Sequence, residues 1–296
     1  MSNPVIKTSG LTKFYGKTKG IENLDLQIER GVMFGFLGPN GAGKSTTIRL
    51  LLNFLKPTSG SAEIFGKNVH RSYYSIFKKI GNVPGELKMY EELTGNYFLN
   101  YMNSFLKREP VWQKELIAAF SLSDEDLKKK IKQYSRGMKQ KLAIIQAMQE
   151  KPDLLIMDEP SAGLDPLNKD VLYHYLLKYK QEGKTVFFSS HNLAEVEKIC
   201  DHVGLVRNGT LIALEAISSL KKKMVRKMEI TFLENFSLQD FKLDSTSIIE
   251  HKNNRLVLTV VGDINPLIKK LSAYKIENMV FPEPSLEDTF LSYYKN

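Results

Sequence analysis

The chain has 296 residues, 42% hydrophobic and 25% charged, the balance of a folded soluble protein and not of a disordered one. Its one cysteine, Cys200, excludes an internal disulfide and any zinc or redox spacing, and a formal charge of +9 draws the chain toward an anionic surface, either nucleic acid or the inner face of a membrane. The opening MSNPVIKTSGLTKFYG has no apolar core behind basic residues and reads as no secretory signal; the uncharged run Gly31 to Gly43 is too short, and too interrupted by Gly, Pro and Asn, to span a bilayer.

In chain order, VIKTSGLTKFYG and IENLDLQIERGVMFGFLG form short apolar pieces bounded by glycine, as strands do, and Val32 to Leu37 reads as a buried strand. KSTTIRLLLNFL then sets Ile48, Leu51, Leu52 and Leu55 at helical spacing, with Pro57 and Gly60 ending the helix. From about residue 86 to 134 strand signals vanish, and Leu93, Tyr97, Tyr101 and Phe105 recur at four-residue steps, which predicts an inserted helical subdomain. DLLIMDEP (strand), NKDVLYHYLLKYKQEG (helix, closed by Gly183), KTVFFSSH (strand) and NLAEVEKIC (helix) restore the alternation that argues for a parallel α/β sheet.

The alternation ends after VGLVRNGTLIA. Residues 1–212 are therefore read as one α/β domain and 213–227 as a basic linker whose Lys221, Lys222, Lys223, Arg226 and Lys227 are solvated, a membrane-facing patch being the alternative. Residues 228–296 read as a small α+β domain. It has period-two strands MEITFL and RLVLTVVG, a proline-started helix NPLIKKLSAY and a last helix capped by Ser285 with Asp288 three residues on.

Gly38, Gly43, Lys44 and Ser45 fit G-x-x-x-x-G-K-[ST] between a strand and a helix. Together with Asn40, Gly41 and Thr46 they form a loop whose backbone N–H groups and helix dipole suit phosphate. Lys44 is expected to reach the β- and γ-phosphates of a nucleotide and Ser45 to bind Mg²⁺. The four apolar residues Leu154 to Met157 precede Asp158 and Glu159, which places both carboxylates at the sheet edge where the phosphate loop sits. Asp158 is expected to hold Mg²⁺ through water, and Glu159 to orient or deprotonate the attacking water.

YSRGMKQK, Tyr134 to Lys141, resembles the signature motif of ABC ATPases, and LLIMDEPSAGLDP resembles their Walker B and D-loop run. SSHNLAEVE is similar to the switch segment with His191, and KFYG to the A-loop, with Tyr15 stacking on adenine. The resemblance covers about residues 5 to 212. It implies a phosphate-loop ABC ATPase domain: a parallel-sheet core, an antiparallel β subdomain and an inserted helical subdomain, with ATP and Mg²⁺ as ligands. Ser135 and Gly137 open a helix and make a second anion site. In the family that site serves the ATP of a second ATP-binding subunit, with Asp165 lying across the contact, so the resemblance implies a dimer, as a homodimer or with a different ATPase chain.

Two departures stand out. Arg136 replaces the signature's second glycine and is read as facing solvent, proximity to the partner's γ-phosphate being the alternative. In IGNVPGELKMY the expected Q-loop glutamine is Gly85, and Glu86 beside it is either a substitute metal ligand or a solvated acid starting a helix.

Phosphate-loop chemistry identifies ATP consumption and not its purpose. Chromosome and repair ATPases need a long coiled coil between phosphate loop and carboxylates, for which the chain has no sustained heptads. Ribosome-acting ABC proteins resemble two ATPase domains in one chain, and here there is one phosphate loop. VPGE, YS-x-GMKQ and the tail EPSLEDTFLSYY resemble ABC-2 type exporters, the group that includes bacitracin and other antibiotic efflux systems. The resemblance thus implies the ATPase subunit of a membrane exporter, held at the cytoplasmic face by a separately encoded permease, with no nucleic-acid partner. A soluble ribosome factor and an importer subunit remain as alternatives. Residues 82 to 135 are the expected permease-docking surface. The aromatics Tyr73, Tyr74, Phe77, Tyr90, Tyr97, Phe98 and Tyr101 are read mainly as core, with permease contact as the alternative.

Overall fold

A computed structural model describes residues 4–105, 108–223 and 226–282. The chain divides into two compact units, Met1–Ile217 and Ser218–Asn296.

In the first, β1 (Ile6–Tyr15) and β2 (Thr18–Ile28) lead into β3 (Met33–Leu37), α1 (Lys44–Leu51), β4 (Ser59–Ile64), β5 (Lys67–Asn68), α2 (Tyr73–Phe77) and β6 (Ile80–Val83). Helices α3 (Gly95–Ser104), α4 (Gln113–Ala119), α5 (Asp124–Lys128) and α6 (Arg136–Met148) follow. The unit then returns to alternation with β7 (Leu154–Asp158), α7 (Pro166–Gln181), β8 (Thr185–Ser190), α8 (Leu193–Ile199), β9 (His202–Arg207) and β10 (Thr210–Ala216).

Two sheets result. β2-β1-β4-β5 is antiparallel, and β10-β9-β3-β8-β7-β6 is parallel except for β10 at its edge. Every residue of β3, β7 and β8 is buried, which is why their central residues are apolar on both faces instead of alternating: helices cover both faces of a parallel sheet. Phe187 packs at 5.7 Å from Phe34 and 5.3 Å from Phe36, locking the two central strands together. Consequently the loops after β3, β7 and β8 emerge side by side at one edge.

The helical insertion differs from the expected 86–134. Residues 87–94 form a loop, fastened by Ile131 N–H to the Leu93 carbonyl and Lys132 N–H to the Glu91 carbonyl, and α3 begins only where Thr94 caps it. At the other end α6 carries the helical region on to Met148. The reading of the aromatics as core is also corrected. Phe98 is buried and Phe77 half-buried, but Tyr73, Tyr74, Tyr90, Tyr97 and Tyr101 are exposed. A four-residue step puts side chains on one helix stripe without saying which way the stripe faces; here Phe98 and Leu99 turn inward and Tyr97, Tyr101 and Phe105 outward.

Residues 213–223, within the stretch read as a basic linker, form regular structure. β10 pairs with β9 through Ala216, past position 212; α9 (Ile217–Lys223) follows, ending in Lys221 to Lys223, and Arg226 and Lys227 open β11 (Arg226–Phe232). The second unit adds β12 (Thr246–Lys252), β13 (Arg255–Val260), α10 (Asn265–Leu271) and β14 (Ile276–Val280) in an antiparallel sheet of order β12-β13-β11-β14. Met228, Ile230 and Phe232 alternate inward and meet Phe241, Leu256, Leu258 and Leu267 in its core. The helix expected around Ser285 and Asp288 lies outside the described residues. No helix among the described residues is long and apolar enough to cross a membrane.

Candidate active site

The turn from β3 into α1 sets the phosphate loop. Gly43, the residue before α1, has φ 106°, and a Cβ there would lie 2.7 Å from Ile21 Cγ2 and 2.8 Å from the Gly20 carbonyl oxygen, so only glycine lets the loop close over β2. Closing it aims the first amides of α1, at Lys44, Ser45 and Thr46, outward with no preceding turn to accept them. They border a cavity of about 310 Å³ lined also by Tyr15, Asn40, Gly41, Gly43 and Glu159. Tyr15, 44% exposed, stands at its rim with its hydroxyl 3.4 Å from Thr46 Oγ1. Gly38 holds Lys44 in place: Lys44 Nζ donates to the carbonyls of Gly38 at 2.7 Å and Pro39 at 3.1 Å, and lies 3.2 Å from Glu159 Oε1.

β7 delivers the carboxylates. Asp158 is buried and Glu159 begins the loop with φ 48°, a left-handed conformation that a non-glycine residue adopts at a cost and that recurs at functional sites. Ser189 on neighbouring β8 fixes both: its hydroxyl donates to Asp158 Oδ1 at 2.5 Å and accepts from the Glu159 N–H at 3.1 Å. Glu159 Oε2 is 3.1 Å from His191 Nδ1. Lys44, Glu159 and His191 thus form one chain of contacts, and Ser45, Asp158 and Glu159 share a second cavity of about 640 Å³ with Arg136 and Gly85.

Glu195 has a role that the sequence reading missed. The buried carboxylate on α8 accepts from Ser161 at 2.8 Å, Ser190 at 3.1 Å and Lys169 at 3.0 Å. It ties the loop after β7, the end of β8 and helix α7 to one point. Its only sequence signal is an acid in the first turn of the helix that follows His191. Burial pushes its carboxyl pKa upward, but the hydrogen bonds from Lys169 and Ser161 prevail and hold it below the ordinary 4.5.

The signature lies elsewhere. Ser135 caps α6, accepting the Met138 N–H at 3.2 Å, and neither Ser135 nor Gly137 lines either cavity at Lys44. Gln140 Nε2 donates to the Pro160 carbonyl at 2.8 Å, and the Arg136 side chain lies over Gly163, where its Nε would be 3.3 Å from an added Cβ. So α6 and the loop after Glu159 are in direct contact. Arg136 is exposed, yet it also borders the 640 Å³ cavity instead of only facing solvent. Asp165 is engaged as the cap of α7, accepting the Asn168 N–H at 2.9 Å, and that bond lowers its carboxyl pKa.

The donor set suits a divalent cation held partly by phosphate oxygens. One hydroxyl, Ser45, and one buried carboxylate, Asp158, border the same cavity, which is the sparse protein contribution that Mg²⁺ takes beside a nucleotide. Glu86 borders the same cavity, with its side chain 70% exposed and its Oε1 3.7 Å from Lys88 Nζ.

Glu195→Gln is expected to cost about 1.5–3 kcal/mol at neutral pH, because Lys169 loses a charged acceptor. The depressed pKa stabilises the fold above 4.5 and that contribution is lost as pH falls through the folded value, so the melting-temperature gap between variant and parent should close below pH 4.5. A gap that persists unchanged into acid would contradict the charged network.

Comparison with known proteins agrees with this geometry. Residues 21–162 match the family model described as ABC transporter. The chain is 35% identical to the bacitracin transport ATP-binding protein BcrA of Bacillus licheniformis over 302 aligned residues, covering 97% of this chain and 96% of that protein. It is also 35% identical to the daunorubicin/doxorubicin resistance ATP-binding protein DrrA of Streptomyces peucetius, covering 74% of this chain and 67% of that one. Among solved structures, an ATP-binding subunit of an ABC transporter superposes with TM-score 0.69 at 29% identity over 74% of this chain and 92% of its own. A dimeric ATP-binding cassette bound to ADP and Pi superposes with TM-score 0.66 at 24% identity, over 72% and 98%, and shows the shared fold. The phosphate loop, the paired carboxylates at the end of β7 and the full-length similarity agree: the chain belongs to the ATP-binding subunits of ABC transporters, an ATPase of that family.

Proposed function

We propose that this subunit powers an ABC-2 type exporter, and that it does so by closing onto a second ATP-binding subunit. The observation that carries the closure is the separation of its two anion sites. The phosphate loop borders both cavities, whereas Ser135 and Gly137 border neither, Arg136 alone of the α6 N-terminus reaching the larger one. A nucleotide on Lys44 is therefore completed by Ser135 and Gly137 of another chain, and two copies packed head to tail complete two sites. Export is supported by relatives over nearly the whole chain whose names specify bacitracin transport, and by one whose name specifies drug resistance.

In the closed pair, the amides of the phosphate loop and Lys44 hold the β- and γ-phosphates, and Tyr15 offers its ring to the base. Mg²⁺ held by Ser45 and, through water, Asp158 would neutralise charge between the phosphates. Glu159 takes the proton of the water that attacks the γ-phosphorus, and His191 keeps that carboxylate aimed. ADP leaves as the bond to the bridging oxygen breaks.

The permease would sit on the helical insertion. Tyr90, Tyr97, Tyr101 and Phe105 form an exposed aromatic row, with ring centroids 5.9 Å apart for Tyr90–Tyr101, 6.2 Å for Tyr97–Tyr101 and 5.0 Å for Tyr101–Phe105. Beside it opens a groove of about 590 Å³ lined by Ile80, Leu87, Met89, Phe98 and Met102. Contiguous exposed aromatics over an apolar groove suit a helix of a partner protein. Such docking would hold the subunit at the cytoplasmic face of the membrane.

Glu159→Gln is expected to retain ATP binding but stall hydrolysis, so that saturating ATP shifts the chain from monomer to dimer in light scattering. A monomer at saturating ATP and high protein concentration would count against closure between copies. From detergent-solubilised membranes of the source cell, the tagged chain is expected to bring down a multi-span protein, and Tyr97→Ala with Tyr101→Ala to release it. Sedimentation with ribosomes instead would favour a soluble remodelling factor.

A further inference from the structure

The loop after β6 has Gly85 where the resemblance leads one to expect a glutamine, and a side chain at position 85 would crowd Asp158. A Cβ on Gly85 would lie 2.9 Å from Asp158 Oδ2, while Ser189 holds Oδ1 of the same carboxylate from the other side at 2.5 Å. The polar group that such a loop would offer is therefore absent from position 85, and Glu86 turns to Lys88.

Three residues earlier stands a polar side chain without a partner. Asn82 lies within β6 opposite Ile156 of β7, so Asn82, Ile156 and Asp158 share one face of the parallel sheet. Its Oδ1 is buried and accepts no hydrogen bond. Asparagine fits strands poorly, and a buried amide oxygen without a donor destabilises a fold. An apolar side chain would serve the strand better, and a buried polar atom left unsatisfied calls for a functional reason.

Its position supplies one. Asn82 borders the 640 Å³ cavity that holds Ser45 and Asp158, and it also borders the 590 Å³ groove beneath Tyr90 and Phe98. Pro84 and Lys88 border both as well. Proline has no polar side-chain atom, and the Lys88 side chain is 82% exposed and faces Glu86. Asn82 is thus the inward-facing polar side chain in the wall between the nucleotide cavity and the groove.

We propose that Asn82 is the positioning residue that links the two, in place of a side chain at position 85. With nucleotide bound, its amide oxygen accepts a hydrogen bond from water on the Asp158 side, which draws β6 and the loop 84–90 toward the cavity and changes the shape of the groove. The inference rests on the groove being the permease's seat, but its test needs no permease.

Asn82→Leu removes the amide at similar volume. It is expected to raise the melting temperature while lowering ATP turnover about tenfold at unchanged nucleotide affinity, a loss in kcat and not in KM, as for misplaced water. Made in the Glu159→Gln chain and probed with ATP–Mg²⁺ by amide hydrogen exchange, it should abolish the ATP-dependent change in protection over residues 84–102 that the Asn82-bearing parent shows. Asn82→Ala, which removes the amide without adding bulk, should behave alike in turnover and exchange, and keeps the test decisive if leucine does not fold. Full turnover and a parent-like exchange response in a stabilised Asn82→Leu protein would overturn the proposal and leave Asn82 an idle defect. Failure of the Asn82-bearing Glu159→Gln chain to dimerise would sink the closure reading separately, and exchange in the monomer would still decide Asn82.

Discussion

A buried ammonium needs an anion, and Lys44 governs the site through that need. It is 5% exposed, and the carbonyls of Gly38 and Pro39 satisfy its donors without neutralising its charge. Glu159, 3.2 Å away, does so. The residue proposed to accept the water's proton is therefore engaged by the cation that phosphates would claim. ATP arriving on the loop would displace Glu159 from Lys44 and leave it to His191, so that base and fuel become ready together. Ser189 would keep such an exchange local, because it holds Asp158 and the Glu159 backbone.

The same economy of contacts spreads outward. Glu195 gathers the loop after β7 and the end of β8 onto α7, and Gln140 and Arg136 bind the start of α6 to the segment between Glu159 and Asp165. The part of the chain that would meet another nucleotide is thereby coupled to the part that hydrolyses its own.

What could be read from the sequence follows from which physics is local. Glycine at 43, lysine at 44 and carboxylates at 158 and 159 are tied to backbone shapes and to a sheet edge, so their pattern shows along the chain. The apolar centres of β3, β7 and β8, alternating with helices, marked a parallel sheet. What stayed hidden depends on packing between distant segments. Nothing in the order of residues shows that Tyr97 and Tyr101 face outward while Phe98 faces inward, that Glu195 collects donors from positions 161, 169 and 190, or that Gly85 abuts Asp158. β12 and β14 escaped notice because their faces are largely exposed, which leaves no clean alternation to detect.

A nucleotide site shared between two chains is the central claim, and mixing two inactive variants tests it most directly. Lys44→Ala lacks its own phosphate grip but keeps Ser135; Ser135→Arg lacks the signature but keeps Lys44. Each alone should hydrolyse no ATP, and their mixture should regain part of the parent's turnover, since the mixed pair holds one site with both elements intact. Ser135→Arg should also bind ATP as tightly as the parent when monomeric. A mixture as inactive as its components, together with weakened ATP binding by the Ser135→Arg monomer, would mean that the signature serves its own chain and that the shared site does not exist.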